Sequence, residues 1–112
     1  MRQITKLTDD ASQRFTLVGE NGEDIGFSVR FLSTQQQWVF DVSIGDFVLT
    51  GVQLVMSPNL LRGYKNLLNF GIMCQSTDGE DPFYINDFIT GRITLFLLTA
   101  AEVEQIELNL FT

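Results

Sequence analysis

Residues 25–44 read IGFSVRFLSTQQQWVFDVSI, and this stretch decides the fold class. Large apolar residues occupy every second position on both sides of a polar segment: Ile25, Phe27, Val29 and Phe31, then Trp38, Phe40, Val42 and Ile44. A period of two places alternate side chains on one face of a β-strand. The stretch therefore predicts two strands, each with one buried face.

The turn before this stretch predicts how the first strands pair. A three-residue loop at 20–22, with Gly22 in the left-handed region, sets Phe15 opposite Phe27. A two-residue turn would instead pair Phe15 with Ser28 and mix an apolar face with a polar one. We therefore predict the longer loop.

The turn after the stretch predicts a second hairpin. Residues 45–46, Gly followed by Asp, suit a two-residue turn with Gly at the first central position. Continuing the pairing from that turn sets Phe40 opposite Gly51. Either the ring of Phe40 lies over the glycine backbone, or Gly51 marks a bulge that moves Val52 and Leu54 onto the core face.

The chain beyond this hairpin mixes helical and strand signals. Ser and Pro at 57–58 followed by apolar residues at helical spacing predict one or two helical turns up to residue 68. Residues 70–75 and 92–98 are predicted to be strands, the second buried on both faces, and residues 78–82 to be a loop.

The last residues combine two signals. Thr99 and Glu102 have the spacing of a capping box, which predicts a short helix. Beyond them, apolar residues at 106, 108 and 110 alternate with polar ones, so residues 103–112 are predicted to be a strand. That strand either completes the sheet of its own domain or docks onto a neighbouring protein.

Together these patterns predict a mainly β chain. We expect one domain spanning residues 1–112, a small β-barrel or β-sandwich with one or two short helical segments. No composition shift, repeat or low-complexity tract marks an internal boundary.

The charge balance limits the partners. Fourteen acidic against seven basic residues give a net charge of −7, and the basic residues do not cluster. Nucleic acids and anionic membrane surfaces are therefore not expected partners. The longest apolar run, 95–98, is far shorter than the roughly 18 residues that a membrane span needs. The single cysteine, Cys74, lies in an apolar run and is interpreted as a core residue.

The sequence carries no recognisable catalytic motif. It has no histidine, which excludes Ser-His-Asp and Cys-His arrangements, histidine zinc sites and imidazole bases. The acidic residues Asp78, Glu80, Asp81 and Asp87 do not have calcium-loop spacing and are interpreted as a solvated loop. We predict a protein that is not an enzyme, with no catalytic residue, cofactor or metal.

Several short motifs resemble one known family when taken in order. They are ITKL at 4–7, FTL at 15–17, WVFDV at 38–42, LTGVQLV at 49–55, NLLRGY at 59–64, DGEDP at 78–82, DFITGRITLF at 87–96 and TAAE at 99–102. In this order the chain resembles the baseplate plug proteins of contractile-tailed bacteriophages, typified by a cyanophage baseplate plug. Two stretches depart from the resemblance: residues 66–70, where more Gly and Leu is expected, and residues 103–112, which extend past it.

The resemblance implies a structural subunit of the phage tail baseplate at the central hub or tail-tube end, located in the virion and assembled in the host cytoplasm. Its expected partners are other baseplate, hub and tube proteins, and self-association into a homo-oligomer is a further possibility. The candidate interface residues are aromatic or long apolar: Trp38, Tyr64, Tyr84, Phe88, Leu108, Leu110 and Phe111. The alternative hypothesis is a small β-barrel module that binds a peptide or a sugar.

Overall fold

A computed structural model describes residues 2–5, 7–19, 22–64 and 67–111, and for residues 109–111 it describes the backbone only. Within these ranges the chain is mainly β. The elements are β1 (Arg2–Gln3), β2 (Ser12–Val18), β3 (Asp24–Leu32), β4 (Gln37–Ile44), β5 (Phe47–Gln53), a 3-10 turn (Arg62–Tyr64), β6 (Phe70–Ser76), β7 (Ile93–Thr99) and α1 (Ala100–Phe111).

The first sheet is an antiparallel meander in the order β2-β3-β4-β5. Phe15 pairs with Phe27 and Leu17 with Ile25, so the register predicted from the apolar faces is confirmed. Gly22 has a φ of 85°, the left-handed conformation that the predicted loop requires. The rings of Phe15 and Phe27 lie 5.6 Å apart on the inner face.

The second hairpin of this sheet contains a bulge. Beyond the turn at 45–46, Val42 pairs with Leu49, but Phe40 pairs with Val52, which confirms the bulge alternative at Gly51. Gly51 has a φ of 68°, and its N–H donates to the carboxylate of Asp41 at 2.7 Å.

The second sheet has three antiparallel strands in the order β1-β7-β6. Its predicted strands at 70–75 and 92–98 are confirmed within one residue at each end. The second of them is buried mainly on one face, because Thr94 and Phe96 are only half-buried. Of the one or two helical turns predicted between 57 and 68, the described residues contain one, the 3-10 turn Arg62–Tyr64.

The two sheets cover one shared core. Its members include Phe27, Trp38 and Phe40 from the first sheet and Ile72 and Leu95 from the second, all at most 1% exposed. Two sheets packed on a common core form a sandwich-like arrangement. Within the described residues neither sheet closes on itself, so the β-barrel alternative is not supported.

The strand predicted for residues 103–112 is wrong, because α1 runs from Ala100 to Phe111. The capping box that begins it is confirmed: Thr99 N–H donates to Glu102 Oε1 at 3.0 Å, and Glu102 N–H to Thr99 Oγ1 at 3.3 Å. Once the helix is nucleated, Val103 and Ile106 lie on its inner side, whereas Leu108 is 53% exposed. Val103, Ile106 and Leu110 are three and four residues apart, so this segment also fits one apolar face of a helix.

No helix in the described ranges is long and apolar enough to cross a membrane.

Candidate protein interface

Residues 77–92 form the connection between β6 and β7, and they are here called the 77–92 loop. The loop lacks a ladder of its own, so side chains must satisfy its backbone polar groups. At its base, Thr77 N–H donates to Arg92 C=O at 2.9 Å and continues the pairing of the two strands. The residues between these two form no strand, and part of the loop packs back onto the core through Phe88.

Arg92 holds the loop together through its guanidinium. Its Nε and Nη2 donate to the two carboxylate oxygens of Asp87, both at 2.8 Å, in a bidentate ion pair. Its Nη1 donates to Asp78 at 3.0 Å, and its Nη2 donates to the C=O of Asp81 at 3.0 Å. The guanidinium carbon also lies 4.4 Å from the ring centre of Phe83. One side chain therefore fixes both ends and the middle of the loop.

Asp87 is the buried partner of this ion pair, with 1% of its surface exposed. One carboxylate oxygen accepts the N–H groups of Phe83 and Tyr84, each at 2.8 Å. Burial raises the pKa of Asp87, but hydrogen bonds from Arg92, Tyr84 and Phe83, with the charge of Arg92, outweigh it and hold that pKa below its ordinary value. The same ion pair raises the pKa of Arg92. Both groups stay charged at neutral pH.

Trp38 attaches the loop to the first sheet. Its Nε1 donates to the C=O of Tyr84 at 3.0 Å, and its ring centre lies 4.8 Å from that of Phe88. On its other side, Trp38 packs 5.3 Å from Phe31 of β3. Since Trp38 is fully buried, it supports the loop from within the core.

The clamped loop presents an apolar surface. Tyr84, Ile85 and Ile89 are 55%, 42% and 56% exposed. Their backbone neighbours are fixed by Asp87 and Trp38, so these side chains project from an ordered backbone. Exposed acidic residues Glu80 and Asp81 lie on the same loop.

Three of the candidate interface residues meet here, and the others lie elsewhere. Trp38 is buried beneath the loop, Phe88 is half-buried and Tyr84 is exposed. Tyr64 packs against Phe47 with ring centres 5.7 Å apart, and Leu108 lies exposed on α1. Leu110 and Phe111 belong to α1, but their side chains fall outside the described residues. Contact of these residues with a partner stays a prediction.

The interpretation of the acidic loop needs one correction. Asp87 is a buried, fully hydrogen-bonded group and not a solvated one. Reasoning from the sequence missed Arg92 as its partner, and it missed Ile85 and Ile89 as exposed apolar residues. A lone arginine that follows four carboxylates in one loop was the available signal for the ion pair.

The single cysteine and the acidic residues were also compared with the requirements of nucleophilic and metal sites. Burial is the main cause that raises the pKa of the Cys74 thiol to about 12, so this cysteine is a poor nucleophile at neutral pH. In the described part of the chain, no three His, Cys, Asp or Glu residues come together as a metal site.

Comparison with known families identifies the group to which this chain belongs. The family model described as "Cyanophage baseplate Pam3 plug gp18" matches residues 1–100 of the 112-residue chain. The chain is a member of the cyanophage baseplate plug family. This confirms the resemblance inferred from the motifs taken in sequence order. None of the curated proteins matches the chain.

Membership of the plug family implies a structural role in the phage baseplate, a location in the virion tail and association with other baseplate components. It also points to a non-enzymatic role. The 77–92 loop lies inside the matched region, whereas all of α1 after Ala100 lies beyond it.

Proposed function

We propose that this plug-family protein is a structural subunit that docks at the central hub or tail-tube end of the baseplate through the 77–92 loop. The observation that carries the proposal is the pairing of exposed Tyr84, Ile85 and Ile89 with a loop backbone fixed from below by Arg92 and Trp38. Assembly in the host cytoplasm belongs to the same proposal, since the chain has a single cysteine and needs no disulfide.

A loop that is already ordered is favourable for docking, because a flexible loop loses conformational entropy on binding and this loss reduces affinity. A loop that orders only on binding loses conformational freedom, and each immobilised long side chain costs roughly 0.5–1.5 kcal/mol. Here the Arg92–Asp87 ion pair orders the backbone in the free protein. The free energy gained by burying the exposed apolar side chains is then not offset by the entropy cost of ordering the loop.

The charge of the loop indicates the character of the partner. The one positive charge of Arg92 faces the two carboxylates of Asp87 and Asp78, and Glu80 and Asp81 are exposed on the same loop, so the loop is acidic overall. A complementary partner surface has an apolar pocket with a basic rim, and opposite charges at a rim speed association and fix orientation. We propose such a surface on the neighbouring hub or tube protein.

The test exchanges the two exposed isoleucines for polar residues of similar size. Phage carrying Ile85→Gln with Ile89→Gln should yield a protein that folds normally but is depleted from purified tails, as measured by quantitative mass spectrometry. Val48→Gln is the matched control, because Val48 is 64% exposed on β5, away from the loop. The control should be incorporated like the natural protein.

Two outcomes would contradict different parts of the proposal. Normal incorporation of the double variant would show that docking does not use the 77–92 loop. Absence of the unsubstituted protein from purified tails would instead contradict the structural role itself.

A further inference from the structure

One groove separates the two sheets at the edges formed by β1 and β2. Its cavity of about 220 Å³ is lined by residues of both strands, among them Gln3 and Thr16 at the edges and the buried Leu17 and Leu97. A second cavity of about 130 Å³ continues past Arg2 towards Thr99. The two cavities share Arg2, Val18 and Leu97, so they lie next to each other along the groove.

The backbone of β2 faces this groove with unpaired groups. Ala11 C=O accepts from Phe31 of β3, and Gly19 N–H donates to Glu23, so odd-numbered residues of β2 bond to β3. In an antiparallel ladder the residues between them point their N–H and C=O away from that partner. The backbone of Thr16 therefore points outward, and no described residue bonds to it. The C=O of Val18, on the same side, accepts from the guanidinium of Arg2.

β1 presents a similar edge from the other sheet. Ile4 N–H donates to Leu95 C=O at 2.8 Å, and Arg2 pairs with Leu97. Gln3 lies between these pairs, so its backbone groups point away from β7. Within the described ranges β1 has no neighbour on that side.

The groove differs in charge from the rest of this acidic protein. Arg2 lines both cavities, and Arg14 is exposed two residues before Thr16. No described Asp or Glu lines the larger cavity, although the chain has fourteen acidic residues and a net charge of −7. At the far end of the smaller cavity, Gly19 and Asn69 lie against the carboxylate of Glu23. The groove is thus partly apolar, with the positive charge of Arg2 near its centre and backbone donors and acceptors along its rim.

We propose that this groove receives an extended segment of another protein, in which apolar and acidic residues alternate, as an added strand against β2 and β1. Main-chain hydrogen bonds to Thr16 and Gln3 supply affinity, as in other cases of strand addition to an open sheet edge. The apolar side chains face Leu17 and Leu97. On the opposite face of the added strand, the acidic side chains lie beside Arg14, which is exposed on the outer face of β2.

The first experiment titrates the labelled protein with a capped seven-residue peptide of alternating valine and glutamate. Amide hydrogen exchange followed by NMR should slow by about tenfold or more at Thr16, because a new hydrogen bond must open before exchange. Gln3 should show the same effect. The matching valine–lysine peptide should bind about tenfold more weakly because of Arg2 and Arg14.

Variants then separate strand addition from contact by side chains alone. Thr16→Pro removes the outward N–H and leaves the β2–β3 ladder in place, since a proline is tolerated where an edge N–H faces outward. Binding of the valine–glutamate peptide should weaken by about tenfold or more, the equivalent of one lost hydrogen bond. Thr16→Val, which retains the N–H, should bind like the natural protein.

Modification of the peptide keeps the test valid even if Thr16→Pro unfolds. The valine–glutamate peptide N-methylated at alternate amides cannot donate to the edge and should not protect Thr16. The proposal is overturned if the unmodified peptide does not bind, if it protects only the β5 edge near Val48, or if the lysine peptide binds as well as the glutamate peptide. None of these readouts involves the 77–92 loop, so they are independent of the docking proposed for it.

Discussion

The three-stranded sheet has two edge strands, β6 and β1, and they differ in how their outward backbone groups are satisfied. On the β6 side, residues 56–60 cover the edge: Ser57 and Cys74 exchange hydrogen bonds of 3.0 and 2.9 Å, and Leu60 N–H donates to Ile72 C=O at 2.7 Å. Asp81 of the 77–92 loop accepts from Met56 N–H at 2.8 Å and joins this cover to the loop. On the β1 side, the groove beside β2 leaves edge groups open.

The difference indicates where the chain supplies its own partners. Open edges invite pairing with other chains, and proteins normally cover or interrupt them. Here the β6 side is closed by backbone hydrogen bonds from Ser57 and Leu60 and by the buried side chain of Asn59, whereas the β1 side keeps Arg2 as its bridge to Val18. We therefore expect the closed side to determine stability and the open side to determine association.

The largest loss of stability should come from removing the guanidinium of Arg92, which binds Asp78, Asp81 and Asp87 of the 77–92 loop. Arg92→Met leaves the buried carboxylate of Asp87 without its cation, and removing one partner of a buried ion pair costs about 3–5 kcal/mol. The free energy of unfolding in urea measures the loss. Arg30→Met is the matched control, because Arg30 is 46% exposed and lies 3.4 Å from Asp41, so its cost should be about 1 kcal/mol or less.

Equal losses in the two variants would contradict the role given to Arg92. They would mean that the 77–92 loop keeps its structure without the ion pair.

The second largest loss of stability should come from removing the side chain of Asn59, which covers part of the β6 edge. Asn59 Oδ1 accepts the N–H groups of Leu61 at 3.0 Å and Ile72 at 3.2 Å, and both residues are fully buried. Asn59→Ala leaves two buried donors unsatisfied and should cost roughly 2–4 kcal/mol in urea unfolding. The exposed Asn69→Ala should stay within about 0.5 kcal/mol of the natural protein. A cost for Asn59→Ala no larger than that of Asn69→Ala would show that water or a shifted segment satisfies the edge.

The smallest effect should be a change in the acid dependence of stability. The pKa of Asp87 lies below its ordinary value of 3.8 in the folded protein, so the unfolded chain takes up a proton first as pH falls. Its contribution is complete above about pH 5 and is lost as pH drops through the folded pKa. In Arg92→Met the largest contribution that lowers this pKa is gone, whereas the hydrogen bonds from Tyr84 and Phe83 remain.

Unfolding free energies measured between about pH 2 and pH 7 should therefore fall less steeply in Arg92→Met than in the natural protein at the acid end. Parallel curves would rule out Asp87 as a source of acid sensitivity. Asp41, whose pKa is also lowered, contributes equally in both proteins. Asp78, whose pKa is lowered mainly by Ser76 and Glu80 and in part by Arg92, is exposed, so Asp78→Asn measured in the same way separates its share.

The sequence by itself determined what depends on neighbours along the chain. Alternation in residues 25–44 gave the strands, and the requirement that apolar faces match gave the register of Phe15 with Phe27. The capping box at Thr99 was also readable, because its partners lie three residues apart. The ordered motifs were sufficient to identify the family.

The tertiary structure alone decided what depends on packing. Residues 103–111 carry a pattern that fits both strand and helix, and in the folded chain they form a helix that buries Val103 against Gly71 of β6. The Arg92–Asp87 pair and the β1–β2 groove bring together groups whose proximity no local pattern encodes. Periodicity reports which face of an element is apolar, but the meeting of two elements depends on how the whole core packs.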